Sequence, residues 1–432
     1  MTPSRLKVTD NINLSVIQTD KFKSGLITFT VSQPYTKENI AYNMLLTSVL
    51  KRGTKKYPSI SELNRRLDEL YSSSLDIRSA RIGKNLTLTI SSDILDNRYI
   101  PDGTDVLDGA LELVEEVIFR PKLDGGYFPE SIVDQEKRFL TDSISSIVNN
   151  TRSYAVTRLG ELMFSADREF PTIEELKKIV SEINKESLTE YHRKAFGQSP
   201  LNVFYVGSLS AEELADRLKK RFSTWSVTVI KESIKPVAEP ACKYRAVTER
   251  MPVSQGKLAI GFKVGVTASD SDISHYAAVV LNELFGGSAA SKLFLNVREK
   301  LSLCYYCSSI YDRYTGTMTV SSGIENKNRD VAERAILSEL NDIRDGKISD
   351  FELQAAKASL TNGYKQLADS PYDLQGFYGN REYFGFAENI EEAKNGILSV
   401  SKKDISRLAK KIVNDSLFYV EGTLGAEGEN EQ

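Results

Sequence analysis

Arg298 and Tyr305 stand seven residues apart in the stretch HYAAVVLNELFGGSAASKLFLNVREKLSLCYY, residues 275–306. An always-charged guanidinium beside a phenol can hold a peptide carbonyl or stabilise an oxyanion. From spacing alone a plainer reading is open, in which the Arg packs its stem on a sheet edge and the Tyr sits in a half-buried strand. Cys304 and Cys307 form a CxxC in the same stretch. Residues i and i+3 of a regular strand point to opposite faces, which argues against a shared metal or a redox pair. The elements that must position these groups follow from the apolar spacing, which is helical from Ala277 to Leu284 and near-continuous from Leu301 to Cys307. That pattern predicts a helix, a tight glycine turn, a second helix closed by Arg298, and a buried strand. Gly286 and Gly287 supply the turn, since glycine tolerates positive φ at a helix end. The two glycines, followed by Ser288, Ala289 and Ala290, also let another backbone come close.

Metal chemistry meets a shortage of imidazoles. The chain has 432 residues and two histidines, His192 and His275, and neither has a second histidine four residues away. A His-rich zinc site is thereby excluded, and both histidines read as structural. No GxSxG elbow or other local motif supports a Ser or Cys nucleophile. The formal net charge is −3 and the basic residues are dispersed, so no footprint for nucleic acid exists. No run of about 18 apolar residues occurs and the N-terminus has no signal-like core, so no membrane association is expected and the protein is expected in the cytoplasm. Three cysteines, an odd number, suit a reducing compartment better than a disulfide framework.

A length of 432 residues fits more than one core. Residues 4–32 read as three short strands and 38–51 as a helix stopped at Gly53. Ser59 and Ser61 are N-cap candidates for the helix ISELNRRLDELY. Two alternating segments, SLDIRSARI and NLTLTISSDIL, predict a hairpin across Gly83-Lys84. Helices over 106–119, 130–149 and 154–164, a strand LNVFYVGS at 201 and a helix over 211–222 complete a first half. The segment 227–244, with Pro236 and Pro240, reads as a linker. A second half repeats the grammar: strand 257–264, helices 273–285 and 292–300, strands 303–311 and 315–322, helices 330–344 and 350–367, a helical stretch over 372–391, a short helix from 402, and a final strand LFYVEGT. LNVFYVGS at 201 and SLFYVEGT at 416 echo each other, pointing to a duplicated unit. The expected fold class is therefore α+β, with two homologous halves, each a mixed or antiparallel sheet with helices packed on one face. The boundaries are 1–226, a linker over 227–244, 245–423, and an acidic, disordered tail over 424–432.

The segment LNELFGGSAASKLFLNVREKLSLCYY resembles the C-terminal-domain signature of the insulinase-like (pitrilysin, M16) metallopeptidases, and LKRGTKKYPSISELNRRLDELY is similar to a phrase in their N-terminal half. The resemblance covers nearly the whole chain and implies a clamshell of two homologous halves. It also implies that Arg298 and Tyr305 reach towards substrate, with Gly286 and Gly287 letting an extended peptide run close by. The family's inverted zinc motif, HxxEH, places two imidazoles one helical turn apart with a general-base Glu between them. Counting back from Gly53 puts Met44 and Ser48 at the histidine positions and Thr47 at the base, while the third ligand falls at Asp134. A thioether and two neutral hydroxyls supply neither ligands for zinc nor a base of suitable pKa. The pattern resembles the silent subunits of paired family members, including a Gram-positive type labelled as associated with elongation factor P modification. It implies a non-catalytic subunit without a cofactor of its own, partnered by a zinc-bearing M16 homologue and binding peptide substrate. A peptide-binding or scaffold homodimer is the alternative.

Overall fold

The computed structural model describes residues 2–197, 199–227, 234–241, 243–270, 273–386 and 388–424, without the side chains of Glu382 and Tyr383. The described chain forms two compact units, neither continuous in sequence. The first draws on Met1–Ile144, Ile173–Lys235 and Gln366–Asn389, the second on Ser145–Thr172, Pro236–Lys365 and Ile390–Gln432. Part of the expected linker, 228–233 and Cys242, and the expected tail from 425 onward lie outside the described residues. Among the described residues no helix is long and apolar enough to cross a membrane.

The first unit is built on strands β1 (Ser4–Thr9), β2 (Ile12–Gln18), β3 (Ser24–Pro34), β4 (Asp76–Ile82), β5 (Asn85–Leu95) and β6 (Leu201–Gly207). They lie in the order β1-β2-β6-β3-β5-β4. Only β2 and β6 pair in parallel; the other neighbours are antiparallel. The hairpin β4–β5 closes as expected, with Ile82 opposite Asn85 and Gly83 supplying φ 62° in the two-residue turn. Thr36 caps helix Lys37–Leu50 by accepting from the Asn39 amide, and Ser59 caps helix Ile60–Glu69 by accepting from Glu62. Between them Gly53 (φ 148°) is obligatory, because a Cβ there would lie 2.8 Å from the Pro58 carbonyl carbon. Helix Pro371–Tyr383, from far along the chain, packs on β6 and β3 and buries Leu374, Phe377 and Tyr378.

The second unit carries β7 (Arg245–Met251), β8 (Gly256–Lys263), β9 (Cys304–Asp312), β10 (Thr317–Ile324) and β11 (Val413–Gly422), in the order β7-β11-β8-β10-β9. Again one pair is parallel, β7 with β11. Omitting β1, the order and sense match the first sheet, and the echoed FYV segments are β6 and β11, each then second in its sheet. Alternate residues separate the two faces of this sheet. Leu258, Ile260, Phe262, Leu417 and Tyr419 join a core with helices Ile273–Asn282 and Arg329–Arg344. Ala259, Phe418 and Val420 face Ala155, Leu159 and Met163 of helix Thr151–Met163. Gly261 permits that approach, since a Cβ would fall 2.3 Å from the Met163 Sδ.

Three local expectations change. Helix Thr151–Met163 belongs to the second sheet although its sequence lies in the first half, because an amphipathic pattern does not say which apolar sheet it will cover. Strand β7 and helix Ile173–Glu182 were not expected. The RAVTERM segment is largely exposed, so its alternation carries little apolar signal. The stretch 372–391 is two helices, Pro371–Tyr383 and Ile390–Ser399.

His192 lies within helix Lys185–Gly197, buried between the edges of Phe128 and Phe196 at centroid distances of 5.7 and 5.1 Å. Burial, with Arg193 adding to it, holds its pKa down at about 4 against an ordinary 6.5, opposed by a bond to the Val117 carbonyl. The unfolded chain therefore takes up this proton first as pH falls. The stabilisation from keeping His192 neutral is fully present above pH 6.5 and is lost as pH drops towards 4, an effect of roughly 3 kcal/mol. Urea unfolding across this window should show wild type losing that much more stability than His192→Gln; parallel curves would refute the assignment.

Candidate functional site

The positions where the resemblance expects a metal lie in the first unit. Met44, Thr47 and Ser48 sit on helix Lys37–Leu50, whose Ala41, Leu45, Leu46, Val49 and Leu50 are buried. Met44 is partly buried and packs against the unit's core. The Thr47 hydroxyl donates to the Met44 carbonyl at 3.0 Å, a local bond within the helix. Asp134 is exposed on helix Glu130–Ser145. A thioether, two hydroxyls and one solvated carboxylate do not fit zinc, which takes imidazole, thiolate and carboxylate donors in a closed tetrahedral set. Two residues beyond Asp134, the buried Glu136 is ion-paired with Arg52, just past the first helix. This contact ties the two helices together, and periodicity gave no sign of it. Nearby, the buried Glu116 accepts from the Lys56 amide at 3.0 Å and pairs with Arg120, fixing the loop after Gly53.

The expected substrate-side residues all lie in the second unit. Glu283–Gly287 and Leu293–Lys300 wind as π-helix, a rare form that is frequent at functional sites. The expected positive-φ glycine turn is absent: neither Gly286 nor Gly287 takes positive φ. Gly286 is required for another reason. It is buried, and a Cβ on it would lie 2.7 Å from both the amide nitrogen and Oγ of Ser309. The backbone that comes close is thus β9 of the same unit. Gly287 is exposed, and an added Cβ would meet the flexible Glu283 carboxylate at 2.6 Å.

Arg298 occupies the last turn of the second π-helix. Its guanidinium lies 4.5 Å from the Phe294 ring centroid and 3.6 Å from the Glu299 carboxylate, with the side chain 38% exposed. Such an exposed pair contributes little to stability. The helix is anchored at its start by Lys292, whose Nζ meets Glu352 at 2.6 Å, and midway by Asn296 donating to Glu339 at 2.9 Å. It ends through Ser302 in left-handed backbone (φ 50°) and a bond from the Leu303 amide to the Val297 carbonyl at 3.2 Å. Tyr305 follows at once on β9. It is 65% exposed, and its hydroxyl has no hydrogen-bond partner among the described residues. Both groups that could grip a peptide are therefore presented by firmly held elements.

The CxxC differs from expectation. Opposite β10, Gly323 pairs with Tyr306 but Ile324 pairs with Cys304, so β9 bulges and Tyr305 is the extra residue. The inserted residue returns Cys304 to the face of Cys307, and each thiol acts on the ionisation of the other. The regular alternation used to separate them does not apply. Sequence reasoning also missed Arg152, which stacks 4.1 Å above the Tyr306 ring and reaches Ser308 at 3.4 Å.

The sequence description "Peptidase M16 inactive domain" matches residues 182–360. A Bacillus subtilis (strain 168) protein named "Probable inactive metalloprotease YmfF" is 32% identical over 413 residues, 95% of this chain and 96% of that protein. Another from that strain, "Uncharacterized zinc protease YmxG", is 22% identical over 311 residues, 71% of this chain and 73% of its own. The crystal structure of a conserved protein from Enterococcus faecalis V583 matches with a TM-score of 0.88 at 29% identity, covering 98% of this chain and 99% of that one. Fold and sequence together define an M16 peptidase scaffold, and the residues at the positions where the resemblance expects zinc ligands are a thioether, a hydroxyl and an exposed carboxylate. The chain belongs to the M16 peptidase family, as an inactive metallopeptidase homologue.

The glycine geometry gives a paired expectation. Gly286→Ala drives a Cβ into β9 backbone and should lower unfolding free energy by on the order of 2 kcal/mol, whereas Gly287→Ala should leave it nearly unchanged. Urea unfolding of both variants checks this; equal effects would show that the close approach is not what selects glycine.

Proposed function

We propose that this chain is the non-catalytic subunit of a heteromeric M16 peptidase, binding extended peptide while a zinc-bearing homologue supplies metal, ligands and general base. The observation that carries the reading is that Met44, Ser48 and Asp134 stand where the resemblance expects the metal ligands and Thr47 where it expects the base, beside an exposed Arg298 and Tyr305. Arg298 offers a forked set of donors to a peptide carbonyl or carboxylate, and Tyr305 a single hydroxyl. Strand β9 is the last in its sheet, and Tyr305 and Ile310, 69% exposed, stand on it. A peptide added along that edge would gain main-chain hydrogen bonds with loose sequence preference. Gly286 then acts by seating β9 rather than by touching peptide. Bacillus subtilis holds both an inactive relative and one named as a zinc protease, which supports a paired arrangement. The type associated by label with elongation factor P modification is the subgroup it resembles, and its thiol content suits the cytoplasm.

The test mixes the purified chain with its zinc-bearing relative and follows peptide cleavage. Activity should require both proteins, and Arg298→Ala should lower kcat/KM of the mixture by about 10- to 100-fold, the loss of a charged hydrogen bond, with Tyr305→Phe less severe. Full activity with both variants in the mixture, or an equal rate from the zinc-bearing protein alone, sinks the proposal. Recovery of the chain from cells as a homodimer free of any zinc-bearing relative would favour a scaffold.

A further inference from the structure

The β9 bulge does more than expose Tyr305. By adding one residue between Cys304 and Cys307 it places both side chains on the sheet face covered by the π-helices. There Cys307 is part of the buried core and Cys304 packs partly buried against it. Each thiol acts on the ionisation of the other, and Ser322 of β10, paired with Cys307, acts on both. Arg298, on the neighbouring helix, places its positive charge near Cys304. Both cysteines are free thiols. A half-buried thiol, a buried thiol on the same face of the sheet, and a nearby cation together make an attacking and a resolving thiol.

We propose that Cys304 and Cys307 are a redox-active dithiol that closes reversibly to an intrachain disulfide across Tyr305, with a low-molecular-weight disulfide as the oxidant. The Cys304 thiolate attacks one sulfur of RS–SR, forming a Cys304–S–SR mixed disulfide and releasing RS⁻. Cys307 gives up its proton and its sulfur attacks Cys304 Sγ, breaking the bond to SR and releasing a second RS⁻. The two cysteines lose two electrons and two protons, and RSSR leaves as two RSH. The assignment of roles follows the local chemistry. The influence of Cys307, aided by Ser322 and Arg298 against the effect of burial, brings the Cys304 thiol down to about 7. The contact with Cys304 and burial push Cys307 well up. Closure draws together the chain on either side of Tyr305, so oxidation would alter the residue that the proposed peptide edge presents. The dithiol itself does not depend on that peptide-binding reading.

The full chain, reduced and then incubated with oxidised glutathione, is analysed by intact mass and by peptide mapping. Wild type should lose two hydrogens, show a Cys304–Cys307 link, and return to the starting mass with dithiothreitol. Cys307→Ser should stop at a glutathione adduct on Cys304. Alkylation of Cys304 in reduced wild type should be half-maximal near pH 7, and Arg298→Ala should move that midpoint upward. A stable glutathione adduct on wild-type Cys304, failure to react, or links from Cys304 to Cys242 or to another chain would overturn the proposal. The wild-type map decides the matter even if a variant fails to fold.

Discussion

Strand β9 lies so close to the helix before it that only glycine fits at residue 286, where a Cβ would meet the Ser309 backbone at 2.7 Å. Much of the second unit's candidate site follows from that contact. It seats the first π-helical turn against the sheet, and the second π-helix, held by Lys292–Glu352 and Asn296–Glu339, then runs back to the start of the same strand. Arg298 emerges at the end of that helix and Tyr305 at the bulge that follows. The bulge also turns a CxxC that should straddle the sheet into a pair of thiols on one face. A site built in this way is rigid where it must position a charge and irregular where it must present one.

In the first unit the metal chemistry has gone while the architecture that once suited it persists. Helix Lys37–Leu50 needs no ion to stay in place. Its N-terminus is capped by Thr36, its apolar face is buried, and Arg52 beyond its end is paired with Glu136 on helix Glu130–Ser145. A buried pair of this kind is costly to break from one side, because the remaining charge is left without a partner. The elements that carry positions 44, 47, 48 and 134 are therefore held by packing, a cap and an ion pair.

Much of this architecture can be read from local pattern. Period-two alternation and Gly83-Lys84 announce the β4–β5 hairpin, Ser59 announces the helix it caps, and the repeated FYV segment marks corresponding strands in the two sheets. The rest depends on contacts distant in sequence. Nothing in residues 151–163 says that they will cover β8 and β11, and the charged alternation of β7 conceals a strand at a sheet edge. The glycine pair was legible as a close approach, which Gly286 makes to β9, while the positive φ expected of it is absent, because both demands select the same residue. The cysteine pair was misread because a bulge, invisible in the sequence, reverses the facing of every residue beyond it.

The central claim is that the helix entering Gly53 has no groups able to hold a catalytic ion. The most direct measurement is the zinc content of the purified chain after equilibration with zinc and dialysis, by elemental mass spectrometry. The account predicts far less than one zinc per chain and no change on Met44→Ala with Asp134→Ala. One zinc per chain that disappears in that double variant would contradict it.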